Sequence, residues 1–258
     1  MAGPAAEAGY AIERERGALI VALPSVMADV LSHVRQHGTL YDAAAARPDA
    51  ESFTGRGAAW RMTTPHGDWL VRHYRRGGAI ARVLHDEYLR AGEPRPLREL
   101  HASIIARARG VDTPEIVAAI AYLAGPLYRA DLATRFVAGS RDLATVTFGS
   151  DDDLRAADIA AAWHAAGRLL RVAFAAGIEH ADLNLRNILI ADAAGAPRAL
   201  LLDLDRAVIH ERAVTTAVRS GMLARLHRSR RKLEQAAGRP TGAAELAAFE
   251  AGLGGLDA

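Results

Sequence analysis

Apolar positions along the chain change their rhythm near residue 138. Before it, short apolar stretches are broken by glycine and proline. Ala18-Leu-Ile-Val-Ala-Leu23 predicts an edge strand, and a polar, alanine-rich helical or loop region follows to about Asp49. Phe53-Thr-Gly-Arg-Gly-Ala-Ala-Trp60 predicts a glycine turn entering a strand. Pro65-His-Gly-Asp68 predicts a hairpin turn before the strand Trp69-Leu-Val-Arg-His-Tyr74, which Arg75-Arg-Gly-Gly78 breaks. Helices are predicted over about 79–90 and 97–109, separated by Pro94 and Pro96, with Gly110 closing the second. Val117–Tyr122 and Tyr128–Val137 read as two further strands, and Gly139-Ser140 as a linker.

After the linker the period lengthens. Residues 151–176 predict a long helix with Ile159, Trp163, Ala166, Leu170 and Phe174 on one face and Gly177 at its end. Asp151, Asp152 and Asp153 crowd its start, where negative charge suits the helix dipole. A tight loop, a strand Ile188-Leu-Ile190, a turn at Asp192–Pro197 and a strand Ala199-Leu-Leu-Leu202 follow. Two short buried strands flanking a polar loop at the foot of a long helix form a setting for catalysis. Residues 234–258, rich in Ala and Gly, offer no chemistry and read as a frayed helix.

The chain's 258 residues leave room for one large domain or two lobes, at roughly 150 residues per domain. Half the residues are hydrophobic but only 5% are aromatic, so alanine-rich helices must carry much of the packing. A charged fraction of 24% excludes wholesale disorder. The lack of cysteine excludes a disulfide scaffold, a cysteine nucleophile and a thiolate metal site, and fits a reducing compartment. The first 16 residues lack the positive and apolar regions of a secretory signal. Nowhere is there an apolar run of about 18 residues, so no spanning helix is predicted.

Of 32 basic residues only Lys232 is lysine, so any role usually filled by lysine falls to arginine. Between Arg206 and Lys232 eight basic residues face one acidic residue, Glu211, a local +7; with +2 overall, the rest of the chain carries −5. The numbers describe a basic patch rather than a basic protein.

The chemistry gathers in His180-Ala-Asp182-Leu-Asn-Leu-Arg-Asn187-Ile-Leu-Ile, followed by Leu201-Leu-Asp203-Leu-Asp205. These segments resemble the H-x-D-x-x-x-x-N and D-F-G elements of the protein-kinase-like fold. Phosphoryl transfer needs a carboxylate to orient the attacking hydroxyl and take its proton, and Asp182 matches that position. It also needs oxygen ligands for Mg²⁺ on the ATP phosphates, and Asn187 and Asp203 match those. Asp205 stands where D-F-G has glycine; a second metal carboxylate and a structural hydrogen bond are equal readings of it.

Upstream, Gly55-Arg-Gly57 resembles a phosphate-covering glycine loop without its third glycine. Arg72 ends Trp69-Leu-Val-Arg, where kinases carry V-A-I-K. A guanidinium is always charged and can grip phosphate oxygens as a fork, so Arg72 is the candidate cation for the α/β-phosphates. Glu99 is the candidate ion-pair partner that fixes it, and Glu87 competes for that role.

A narrower resemblance covers residues from about 53 to 233. Gly55-Arg-Gly57, Leu70-Val-Arg-His-Tyr-Arg-Arg-Gly-Gly78, Tyr128-Arg-Ala-Asp-Leu-Ala-Thr134, His180-Ala-Asp-Leu-Asn184, Asp203-Leu-Asp205 and Leu223-Ala-Arg-Leu-His-Arg-Ser-Arg-Arg-Lys232 are similar to 3-deoxy-D-manno-octulosonic acid (Kdo) kinases of the lipopolysaccharide kinase family. The resemblance implies an α+β, two-lobed protein-kinase-like fold. A strand-rich N-lobe would span 1–138 and a helical C-lobe 139–258, with ATP between them near a hinge around Thr134–Gly139. It implies ATP- and Mg²⁺-dependent phosphorylation of the 4-hydroxyl of a Kdo residue on lipid A, at the cytoplasmic face of a Gram-negative inner membrane. An arginine in place of the usual kinase lysine belongs to the same pattern.

Ala181 replaces the arginine that pairs with a phosphorylated activation loop, and no A-P-E element follows Asp205, so control by loop phosphorylation is not expected. Arg219, Arg225, Arg228, Arg230, Arg231 and Lys232 are expected to face an anionic membrane surface or the phosphates of lipid A. No nucleic-acid role is expected, because the patch lacks interleaved aromatics, and no obligate protein partner is evident. An aminoglycoside- or choline-type kinase is the alternative enzyme; its cationic acceptor calls for an acidic C-terminal insertion, where this chain is basic. A nucleotide-binding pseudokinase is the alternative from another class. The missing lysine and third glycine support it; intact Asp182, Asn187 and Asp203 oppose it.

Overall fold

The computed structural model describes residues 3–53, 59–75, 86–149, 156–193 and 196–254. They fall into two compact units: Met1–Ile104 with Glu115–Phe136, and Ile105–Pro114 with Val137–Ala258. The chain opens with α1 (Gly3–Glu7), β1 (Ala11–Glu15), β2 (Ala18–Ala22), α2 (Met27–His37) and α3 (Leu40–Ala45). Next come β3 (Glu51–Phe53), β4 (Ala59–Met62), β5 (Trp69–His73), β6 (Tyr88–Leu89), α4 (Arg95–Ala108), β7 (Ile116–Ala124) and β8 (Leu127–Arg135).

The first unit is built on an antiparallel sheet in the order β1-β2-β7-β8-β5-β4-β3, with β6 also paired to β8. The segment predicted as an edge strand is therefore interior: β2 pairs with β1 on one side and β7 on the other. The edge falls instead to β1, a short strand that carries the charged residues Glu13, Arg14 and Glu15. β7 is buried on both faces over Ile116-Val-Ala-Ala-Ile-Ala, as suits a central strand. Val30, Val34 and Leu40 of α2 and α3 pack on one side of the sheet, and Leu97 and Leu100 of α4 on the other. The predicted 79–90 helix is corrected in its described part: residues 86–90 form a bend and β6. Positions 79–85 of that helix, with Gly55 and Gly57, lie outside the described residues.

A buried polar network ties β5 to α3. Asp131 is fully buried and accepts from the Tyr41 N–H at 2.9 Å and the Tyr122 hydroxyl at 2.7 Å. Tyr122 in turn accepts from the Leu40 N–H at 2.8 Å, so the sheet satisfies two N–H groups that begin α3. Burial first, and the Asp131 charge second, push the Tyr122 phenol well up, keeping it a donor. His73 closes the network, with Nδ1 2.6 Å from Asp131 and Nε2 3.0 Å from Asp86. Burial disfavours its charged form, but the hydrogen bonds and charges of the two carboxylates outweigh that and raise its pKa above the ordinary 6.5. A raised histidine pKa adds stability that is fully present below the unfolded value and is lost as pH rises through the folded one. The unfolding free energy is thus expected to fall as pH rises above about 6.5. His73→Gln should flatten that slope and cost about 2 kcal/mol near pH 6, since Asp131 loses its cation. Denaturant melts of both proteins at pH 6 and pH 8 measure this; parallel pH profiles would remove His73 from the account.

The second unit contains β9 (Arg141–Asp142), α5 (Leu143–Phe148), α6 (Ala156–Ala175), β10 (Ile178–Glu179), β11 (Ile188–Ala193), β12 (Ala196–Leu201), β13 (Val208–Ile209), α7 (Thr216–Ala237) and α8 (Ala243–Leu253). Strands β12, β11 and β9 form one small antiparallel sheet, and β10 and β13 another. Trp163, Ala166, Leu170 and Phe174 of α6 are buried, and Ile159 is half-buried; Asp151, Asp152 and Asp153 lie outside the described residues. The frayed C-terminal helix is also corrected. α8 packs on α6, with the Phe249 and Trp163 rings meeting edge to face at 5.6 Å. Two glycines permit the close crossing. A Cβ on Gly167 would lie 2.3 Å from the Phe249 carbonyl oxygen, and one on Gly252 2.2 Å from that of His164.

Candidate active site

Within the second unit, α6 ends at Ala175, Gly177 turns the chain at φ +72°, β10 follows, and the chain enters the loop His180–Asn187 before β11. His180 is buried at 2% exposure and acts as the loop's brace. Its Nε2 lies 2.8 Å from the Leu202 carbonyl oxygen, and its Nδ1 lies 3.2 Å from the Asp182 backbone nitrogen. That arrangement needs a neutral ring donating from Nε2 and accepting at Nδ1, and burial favours it by holding the imidazole pKa below its ordinary value.

Two amides then converge on one oxygen. The Nδ2 groups of Asn184 and Asn187 donate to the Asp182 carbonyl at 2.8 and 2.9 Å. Asn184 Oδ1 also accepts from the Arg186 N–H at 3.0 Å, making a side-chain cap for the short turn Leu185–Asn187. With its NH₂ engaged, the oxygen end of the Asn187 amide is left as the acceptor a hard cation requires.

Asp203 comes next to Asn187 through the backbone: the Leu202 N–H donates to the Asn187 carbonyl at 2.9 Å. Asp203 has φ +62°, in the left-handed region. Such a conformation costs on the order of 1 kcal/mol or more outside glycine and persists where the neighbours over-determine it. Here they do. Leu202 is held by His180 and Asn187, and Leu204 and Asp205 are buried at 1% and 5%. Asp182, Asn187 and Asp203 thus share one braced loop pair. Among the described residues no three His, Cys, Asp or Glu side chains gather as a metal-holding group; an amide and a carboxylate could hold a hard cation only together with other oxygen ligands such as phosphate and water.

In the first unit, Arg72 projects from β5 and pairs with Glu99 of α4, which is 5% exposed. Glu99 also accepts from the Tyr74 hydroxyl. The Arg72 guanidinium carbon lies 4.8 Å from the centre of the Tyr74 ring, and that of Arg95 lies 5.3 Å from the same ring. Of the two carboxylates the sequence offered, Glu99 is hydrogen bonded to Arg72, and Glu87 lies just before β6. Pro96, in the first turn of α4, requires no intrahelical acceptor there.

The sequence reading missed three residues: His180 as a brace, Asn184 as a cap and Tyr74 as the second donor to Glu99. The Asn184-Leu-Arg186 spacing is a readable Asx signal; the other two depend on partners 22 and 25 residues away.

Residues 46–246 match the Lipopolysaccharide kinase (Kdo/WaaP) family. The chain is 40% identical over 190 residues to 3-deoxy-D-manno-octulosonic acid kinase of Xanthomonas campestris pv. campestris (strain B100), covering 73% of this chain and 71% of that one. It is 38% identical, with the same coverage, to the enzyme of that name from Stenotrophomonas maltophilia (strain K279a). Among solved structures, WaaP in complex with acyl carrier protein shares the fold at a TM-score of 0.52 and 18% identity, over 85% of each chain.

Proposed function

Because the chain belongs to the lipopolysaccharide kinase (Kdo/WaaP) family, we propose that it transfers the γ-phosphoryl group of ATP to the 4-hydroxyl of a Kdo residue linked to lipid A. The observation that carries this reading is the braced loop that sets Asp182, Asn187 and Asp203 together. Asp182 orients the acceptor hydroxyl and takes its proton as the new P–O bond forms and the bond to ADP breaks. Arg72, fixed by Glu99, holds phosphate oxygens of the nucleotide. Asn187 and Asp203 supply oxygen ligands for Mg²⁺, which when bound offsets charge on the phosphates. No helix among the described residues is long and apolar enough to cross a membrane; the reading places the enzyme peripherally at the cytoplasmic face of the inner membrane, where its acceptor is anchored.

The test is phosphate transfer from labelled ATP to purified Kdo–lipid A, with an aminoglycoside and choline as competing acceptors. Label is expected on Kdo–lipid A alone. Label on either cationic acceptor, or none on any, overturns the reading.

A further inference from the structure

We propose that Arg228 and Lys232 of α7 form a subsite for a phosphate group of the acceptor itself, beside the catalytic loop. This deepens the function proposed above and rests on it for the identity of the acceptor. The basic segment appeared in the sequence as one undivided patch. The structure divides it.

The inner face of α7 buries Met222 and Leu226. Next to that face, Ser229 Oγ lies 3.4 Å from the backbone N–H of Leu185, three residues after Asp182. One turn earlier, Arg225 comes within 4.0 Å of Glu179, the residue before His180. One flank of α7 therefore runs along the catalytic loop, touching it before His180 and again at Leu185. Residues three and four apart are neighbours on a helix surface. Arg228 follows Arg225 by three and Lys232 follows Ser229 by three, so both adjoin this flank.

The cations of α7 also differ in how they are balanced. Arg225 has Glu179, which lies 3.0 Å from His210 as well. Arg230 has Glu234 at 3.0 Å, and that carboxylate also accepts from the Thr241 N–H at 2.9 Å. Arg228 and Lys232 are exposed and have no carboxylate partner among the described residues. Arg231 is exposed too; it follows Arg228 by three but also follows by four His227, whose ring meets Phe249 of α8 edge-on, so it stands a step further round the helix from Arg225 and Ser229 than Arg228 and Lys232 do. A diffuse attraction to an anionic membrane would use all three exposed cations alike. A subsite uses two of them and spares the third.

Charge reversal of single residues in the full chain separates these cases. Acceptor KM is measured with Kdo–lipid A in neutral detergent micelles, native or with its lipid A phosphates removed. Binding of phosphorylated lipid A in the same micelles is measured without ATP. Arg228→Glu and Lys232→Glu are expected to raise the KM for the native acceptor about tenfold, the scale of one charge-assisted contact. kcat and the KM for ATP should stay within about twofold, and so should acceptor KM for Arg231→Glu, which is a change well below that contact's scale. On the dephosphorylated acceptor the two penalties should disappear. Equal losses from all three reversals, a loss in kcat rather than KM, an unchanged KM, or a penalty that persists without phosphate would each overturn the subsite. If the wild-type protein transfers nothing to this acceptor but its lipid A binding still depends on Arg228 and Lys232 and not on Arg231, the subsite stands and the acceptor reading falls. If that binding is indifferent to all three, both fall.

Discussion

Asp182→Asn is expected to lower phosphoryl transfer by about 100-fold or more, the scale of a positioned base, while leaving the fold and nucleotide binding close to wild type. The separation follows from how the loop is held. Backbone groups of Asp182 help to hold it: its N–H reaches His180 Nδ1, and its carbonyl accepts from Asn184 and Asn187. None of these bonds requires a charged side chain at position 182, and asparagine is close to aspartate in shape. What the substitution removes is the group that can take a proton from the acceptor hydroxyl. Single-turnover transfer to Kdo–lipid A, with nucleotide affinity and thermal unfolding measured on the same preparation, checks each part. Near-normal transfer would take the base role from Asp182. A large loss of melting temperature would recast the residue as structural.

How much of this was legible in the sequence depended on sequence distance and on patterning. The 180–205 region could be read because its residues act on near neighbours. Asp182 and Asn187 stand five residues apart on one loop, and Asp203 follows a strand whose apolar run is visible. Trp69–His73 and Leu127–Arg135 could be read as strands because turn residues bound them closely. β2 looked like an edge strand because its second partner, β7, begins almost a hundred residues later. Only the assembled sheet shows which strand is last. Residues 88–89 pair with β8, and that non-local pairing overrode the helical pattern of their neighbours. α8 looked frayed because alanine and glycine carry little amphipathic signal. Its stability comes from Gly252 lying against Gly167 and from Phe249 on Trp163, contacts that span more than 80 residues. The His73 network was hidden for the same reason: a histidine within a strand carries no mark of the two aspartates, 13 and 58 residues away, that meet its ring.

Arg72→Ala is expected to lower kcat/KM for ATP by about 100-fold, the usual scale for losing a pre-positioned donor to a charged oxygen. Arg72→Lys should retain part of the activity. The argument turns on what holds the guanidinium. Arg72 is bound to Glu99, lies over the Tyr74 ring and stands 3.5 Å from the Tyr74 hydroxyl, which itself donates to Glu99. A planar fork can bond to a carboxylate through one nitrogen, stack on an aromatic face and still present another N–H to phosphate. Lysine replaces the charge without the fork, so it can bond to Glu99 or reach phosphate with less geometric control. Glu99→Gln then supplies the independent arm. It keeps the shape, removes the partner's charge and should cost about tenfold in kcat/KM for ATP, with Arg72 present but less well fixed. Steady-state kinetics at varied ATP for the three variants sets the order: Ala worst, with Lys and Gln between it and wild type. Equal losses for Ala and Lys would mean that the fork itself, and not the charge, is what ATP requires. No loss in either would remove Arg72 from the nucleotide site and leave its pairing with Glu99 as a fastening between β5 and α4.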